Sequence, residues 1–93
     1  MKVFISGKIT GDNGYKEKFK RAEMRLKREG HIVLNPTVLP EAGFEHEEYL
    51  HICCAMIYVC DAVYMLDDWA ESEGAKIERR FAMARGKEVM YEH

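Results

Sequence analysis

The sequence predicts a small α/β domain, built as a doubly wound, three-layer sandwich around a parallel sheet of about four strands. Three observations carry that expectation. Short apolar runs alternate with longer segments whose apolar residues recur at helical spacing. Glycine or proline closes most of these segments. The 93 residues leave room for one core, so residues 1–93 are read as a single domain.

Val3-Phe4-Ile5 is the first strand, and it runs into a glycine-bearing loop that extends from Ser6-Gly7 to Gly14. From Tyr15 to Glu29, the residues Tyr15, Phe19, Ala22 and Leu26 mark one helix face, and Gly30 stops the helix. His31-Ile32-Val33-Leu34 is the second strand. Asn35-Pro36 ends it, because proline lacks the ladder N–H and restricts the residue before it. After a loop of about ten residues, Tyr49, Ile52, Cys53, Met56 and Cys60 form a helical stripe from about Glu45 to Cys60. This stripe makes the cysteines core packing. Asp61 to Leu66 is the third strand, apolar enough to be central. Ser72 is a good N-cap for a helix with Ile77, Phe81 and Ala84 on its inner face, closed by Gly86. Glu88-Val89-Met90-Tyr91 is the last strand. A βαβαβαβ order implies a parallel sheet with right-handed crossovers, of the flavodoxin- or Rossmann-like kind.

Composition narrows the function. With 14 basic and 16 acidic residues the net charge is −2, which does not suit binding to the phosphate backbone of a nucleic-acid polymer. No apolar run approaches the roughly 18 residues of a membrane span, and the start is too short for a signal peptide, so a cytoplasmic protein is expected. Cys53, Cys54 and Cys60 are odd in number and share one helix, which fits a reducing compartment and no disulfide framework. His51-Ile52-Cys53-Cys54 offers too few ligands for a metal site. Neither a metal nor a cofactor is expected. With two open sheet edges and a modest core, a homodimer or higher homo-oligomer is expected.

Ligands of doubly wound sheets bind beyond the carboxyl ends of the strands, where strand order reverses. That rule selects two loops, Ser6 to Gly14 and Asp67 to Gly74. The first offers Ser6, Gly7, Lys8 and Ile9, whose backbone N–H groups can face an anion or a sugar; a plain strand-to-helix turn would use glycine too. In the second, Ser72 caps a helix whose early Gly74 leaves the first-turn amides open to an anion. Glu78 stands one turn beyond Gly74 on the same side of that helix. It is either a solvated glutamate pairing with Lys76 or Arg79, or a carboxylate aimed into the cleft.

Phe4 to Gly11, Asn35-Pro36, Cys60 to Leu66 and the run Trp69-Ala70-Glu71-Ser72-Glu73-Gly74-Ala75-Lys76-Ile77-Glu78 together resemble the nucleoside 2-deoxyribosyltransferase-like superfamily. They are closest to its short branch, found in phage and bacterial genomes and catalogued as a domain of unknown function. The resemblance spans nearly the whole chain, and Ser-x-Gly-x-x-x-Glu after an apolar strand is its most specific part. It implies cleavage or transfer of the N-glycosidic bond of a 2′-deoxynucleoside or its 5′-monophosphate. Glu78 would attack C1′ and form a covalent glutamyl-deoxyribose. Ser72 and the amides near Gly74 would hold the 5′ group, Gly7 to Ile9 would line the base and sugar pocket, and Asp67 and Trp69 would complete it, Trp69 as an apolar wall. The resemblance also implies a dimer. Two positions depart from the pattern: Phe4 stands where relatives carry a tyrosine beside the nucleophile, and Cys53 where they carry an aspartate. Tyr49, Tyr64, Asp67 or Asp68 could substitute. A non-catalytic module that holds a nucleotide or an ADP-ribose-like ligand is the alternative.

Overall fold

A computed structural model describes Met1–His93 and has the expected βαβαβαβ order. The strands are β1 (Lys2–Ser6), β2 (Ile32–Leu34), β3 (Ala62–Met65) and β4 (Glu88–Tyr91); the helices are α1 (Tyr15–Arg28), α2 (His46–Val59) and α3 (Glu73–Ala84). Two short 3₁₀ turns, Pro36–Val38 and Trp69–Glu71, lie within loops that the sequence left irregular. The strands pair in parallel in the order β2-β1-β3-β4. No helix is long and apolar enough to cross a membrane.

Strand alternation divides the core into two layers. Val3, Ile5, Ala62, Tyr64 and Leu66 point to one face and pack against Phe19, Ala22 and Leu26 of α1. Phe4, Val63 and Met65 point to the other and pack against Cys53 and Ile57 of α2 and Ala75 and Ala82 of α3. The helical stripe expected for α1 is therefore its buried face, and Cys53 and Cys60 are core residues. In α3 the inner face differs from the expected one. Its buried residues are Ala75, Glu78 and Ala82, while Ile77 and Phe81 are only partly covered and Ala84 is exposed. The sheet leaves too little room for bulky side chains along the helix centre, so small alanines face it and the larger apolar residues flank it.

Chain reversal creates the crevice. The chain leaves β1 toward α1 on one face and returns through β2, then crosses to β3 through α2 on the other face. The carboxyl ends of β1 and β3 are neighbours whose following loops diverge, which is the topological switch point. Gly7 begins the first of these loops against the Leu66 side chain: a Cβ at Gly7 would lie 2.7 Å from Leu66 Cδ1 and 2.8 Å from its Cβ. Gly7→Ala should therefore force the switch point apart. The expected loss is about 1–3 kcal/mol, measured by denaturant unfolding. Gly30, at φ +93°, closes α1 in a left-handed conformation that suits glycine.

Candidate active site

At the switch point lies a cavity of about 560 Å³. Ile5, Ser6, Cys53, Ala75 and Glu78 line its inner part. The loop after β1 contributes Gly7, Lys8, Ile9 and Thr10, and the loop and first turn leading into α3 contribute Glu71, Ser72, Glu73 and Gly74. Of the residues selected from the sequence, Ser6, Gly7, Lys8, Ile9, Ser72, Gly74 and Glu78 thus border one space.

Glu78 is a buried carboxylate at 9% exposure, and Ser6, at 1%, donates its Oγ hydrogen to Glu78 Oε1 at 2.6 Å. Ser6 lies two residues after Phe4 on the same face of β1, so its hydroxyl reaches a carboxylate that Phe4 cannot serve. Phe4 itself belongs to the α2/α3 core layer. The Cys53 thiol borders the cavity beside Glu78. Burial pushes the Glu78 pKa from its usual 4.5 up to about 7, against the pull of the Ser6 hydrogen bond and the neighbouring Cys53 thiol. Burial, and then the facing Glu78 charge, push the Cys53 thiol pKa upward. Cys53 is therefore a neutral thiol rather than a thiolate.

The helical cations that could have claimed Glu78 are engaged elsewhere. Lys76 pairs with Glu73 at 3.0 Å. Arg79 donates through Nε to Tyr91 Oη at 2.8 Å and lies 4.8 Å from the centre of the Trp69 ring. Solvated pairing of Glu78 is thereby ruled out by its surroundings, and the carboxylate faces the cavity.

Ser72 caps α3, its Oγ accepting from the Ala75 N–H at 3.1 Å. The amides of Glu73 and Gly74 precede the first intrahelical bonds and lie at the cavity edge. Packing alone does not require glycine at 74, where a Cβ would meet His46 and Ser72 only at 3.9 Å. Lys8 places Nζ 3.5 Å from Glu71 across the mouth.

The two loops are braced together by Lys18 of α1. Its ammonium pairs with Asp12 in the first loop and with Asp68 in the second. Asp68 also accepts the Lys8 backbone N–H at 3.0 Å, and Asp12 accepts that of Gly14 at 2.8 Å. Lys18→Met should loosen both loops at once, visible as faster amide exchange around Lys8 and Asp68 with the α1 core still protected.

Two selected residues lie outside the cavity. Asp67 is exposed, its carboxylate 3.2 Å from His93 Nδ1. Trp69 leans the other way, over Tyr91 at 6.0 Å between ring centres and against the α2/α3 core layer. The 3₁₀ turn Trp69–Glu71 carries the indole away from the mouth. Tyr64 lies on the α1 face of the sheet, and Asp68 is committed to the brace. Tyr49 does border the cavity, with its hydroxyl donated to the Pro40 carbonyl at 2.6 Å.

A third wall was missed in the sequence. Pro36, Thr37, Leu39, Pro40 and Glu41 follow β2, and His46 and Leu50 of α2 join them. Asn35 shapes this segment by accepting from the Thr37 N–H at 2.9 Å and donating to Glu23 at 2.9 Å. The available signal was Asn35-Pro36 itself, since β2 also ends at the carboxyl edge of the sheet. Tyr15 enters from α1, its hydroxyl 3.2 Å from Glu41, whose carboxyl is held low by Lys16 at 2.7 Å.

Residues 1–91 match a family model described as a domain of unknown function, DUF4406. The fold is similar to a solved structure titled 2-desoxiribosyltransferase from Leishmania mexicana, with a TM-score of 0.75 and 18% sequence identity. The match covers 97% of this chain and 62% of that one. No curated protein sequence matches significantly.

Proposed function

The chain belongs to the DUF4406 family, and on that premise we propose that it cleaves or transfers the N-glycosidic bond of a 2′-deoxynucleoside or its 5′-monophosphate. The observation that carries this reading is the buried Glu78 carboxylate, directed by Ser6 into a cavity at the switch point. Such a site shields an electron-deficient sugar carbon from bulk water and offers it one oxygen nucleophile.

In the proposed reaction Ser6 holds Glu78 Oε1, and the other oxygen, Oε2, attacks C1′. The bond from C1′ to the base nitrogen breaks, and its electron pair leaves with the base, which takes a proton from solvent. The resulting glutamyl ester is then attacked at C1′ by water, or by the nitrogen of a second base; the C1′–O bond to Glu78 breaks, its electron pair restores the carboxylate, and the nucleophile's proton passes to solvent. Two displacements give net retention. The amides of Glu73 and Gly74, the Ser72 cap and Lys8 hold the 5′ end of the sugar, and Ile9, Leu39 and Tyr49 offer apolar surface to the base.

Incubation with the four 2′-deoxynucleosides and their 5′-monophosphates, followed by chromatography, should show release of free base. Brief reaction and acid quench should add one deoxyribosyl mass to the chain, located on the Glu78 peptide. Absence of base release from all of them refutes the reading.

A second reading rests on the same buried carboxylate. A Glu78 that is only partly ionised at neutral pH, beside Cys53 rather than a second acid, would bind a nucleotide or an ADP-ribose-like ligand without turnover. A ligand-dependent rise in melting temperature without any product by mass spectrometry would favour it.

A further inference from the structure

Four carboxylates border the cavity: Glu41, Glu71, Glu73 and Glu78. Three are accounted for. Glu78 is the buried group held by Ser6, Glu71 faces Lys8 across the mouth at 3.5 Å, and Glu73 pairs with Lys76 of its own helix at 3.0 Å. Glu41 stands apart from these. It follows Leu39 and Pro40 in the wall after β2, and the Tyr49 hydroxyl is donated to the Pro40 carbonyl at 2.6 Å. Glu41 therefore belongs to the wall that offers Leu39 and Tyr49 to the base.

Two residues of α1 hold this carboxylate in place. Lys16 Nζ lies 2.7 Å from Glu41 Oε1, and Tyr15 Oη donates to the same oxygen at 3.2 Å. Oε2 remains for an incoming donor. Lys16 first, and then Tyr15, keep the Glu41 carboxyl below its usual range, so near neutral pH it is ionised and can only accept hydrogen bonds. Tyr15 borders the cavity and Lys16 does not. The cation thus supports the carboxylate from outside, and what the cavity is offered is an acceptor.

An acceptor without a donor distinguishes bases by their edges. Cytosine and adenine carry an exocyclic amino group, a donor, where uracil, thymine and hypoxanthine carry a carbonyl oxygen. The first kind gives a charge-assisted hydrogen bond, and the second sets a partial negative charge against the carboxylate. We propose that Glu41 is a specificity-determining residue of the candidate active site, which selects an amino-bearing base, cytosine or adenine, by accepting from its exocyclic amino group. Tyr15 and Lys16 are its positioning residues. The inference rests on the reading of the cavity as a nucleoside site and adds to it the base edge that the protein reads. The Glu41 side chain is 66% exposed, so the discrimination should sit at the low end for a charged hydrogen bond, about tenfold.

Two substrate pairs isolate that edge: 2′-deoxycytidine against 2′-deoxyuridine, and 2′-deoxyadenosine against 2′-deoxyinosine. For the parent chain, kcat/KM for base release is measured on all four. Dissociation constants come from calorimetry on Glu78→Gln, which reads binding without turnover. The amino member of each pair should be favoured about tenfold in binding. Glu41→Gln, made in both backgrounds, should bring the binding ratios close to one, because an amide offers a donor as well as an acceptor. Its kcat/KM ratios should fall by the same factor, a comparison in which the different leaving abilities of the bases cancel. Glu41 lies in an exposed loop, so its variant should melt with the parent. Binding without an amino preference, or ratios that Glu41→Gln leaves unchanged, overturns this inference while base release would keep the glycosidic reading. Binding with the stated preference but no base release does the reverse. If none of the four nucleosides binds or reacts, both fail.

Discussion

Glu78→Gln is expected to lose base release by a factor on the order of 10³ to 10⁵ while keeping the fold. The substitution preserves shape, and the amide oxygen can still accept the Ser6 hydrogen that Oε1 accepts in the parent. What it removes is the oxygen nucleophile, because a neutral amide does not form the ester that the proposed reaction requires. Steady-state assay by base chromatography measures the loss, and the quenched adduct should vanish with it. If Glu78→Gln matches the parent rate, the nucleophile is another group and the proposed function fails. A nearly inactive but misfolded variant is distinguished by its melting curve. Ser6→Ala offers a milder companion: it leaves the nucleophile in place and takes away only the hydrogen bond that directs it.

The element order, the parallel sheet and the position of the cleft were legible in the sequence because they follow from patterns of many residues. Four apolar runs and three amphipathic segments leave few ways to arrange a parallel sheet, and the switch-point rule then locates the site. Glu78 was legible through its spacing from Ser72 and Gly74 on a capped helix. Its burial was not, because an inner face built of Ala75 and Ala82 is quieter than one built of isoleucine and phenylalanine, and the larger Ile77 and Phe81 drew the prediction to the wrong side. The Ser6 contact was illegible for a different reason: it spans 72 residues of sequence, and no local pattern joins a strand end to a distant helix. Trp69 shows the converse error. Its neighbourhood in the sequence places it near the mouth, but a single 3₁₀ turn decides which way an indole points, and here Arg79 and Tyr91 hold it outside. The cross-brace through Lys18 joins three elements in the same nonlocal way.

The elevated pKa of Glu78 predicts opposite pH trends for stability and for activity. In the unfolded chain this carboxyl titrates near its usual 4.5, and in the folded chain near 7. Between those values the folded state holds a proton that the unfolded state has released, so the folded state loses stability as pH rises through the interval. From about pH 4 to about pH 8 the parent should lose roughly 3 kcal/mol relative to Glu78→Gln, which has no such proton to hold. The difference between the two denaturation curves isolates Glu78 from groups shifted the other way. The carboxyls of Asp12, Glu23, Glu41 and Asp61 are held low by lysines and backbone or side-chain N–H groups, and their contribution is lost only as pH falls through their own depressed values. Activity should run in reverse. A nucleophile must be ionised, so kcat/KM should climb tenfold per pH unit below the Glu78 pKa and level off above about 7. Ser6→Ala removes a donor that favours the charged form, and the rising limb should move up by about one pH unit. A flat profile from acid to neutral pH would mean that no buried carboxylate controls the reaction. A limb unmoved by Ser6→Ala would mean that the 2.6 Å contact does not govern the ionisation of Glu78.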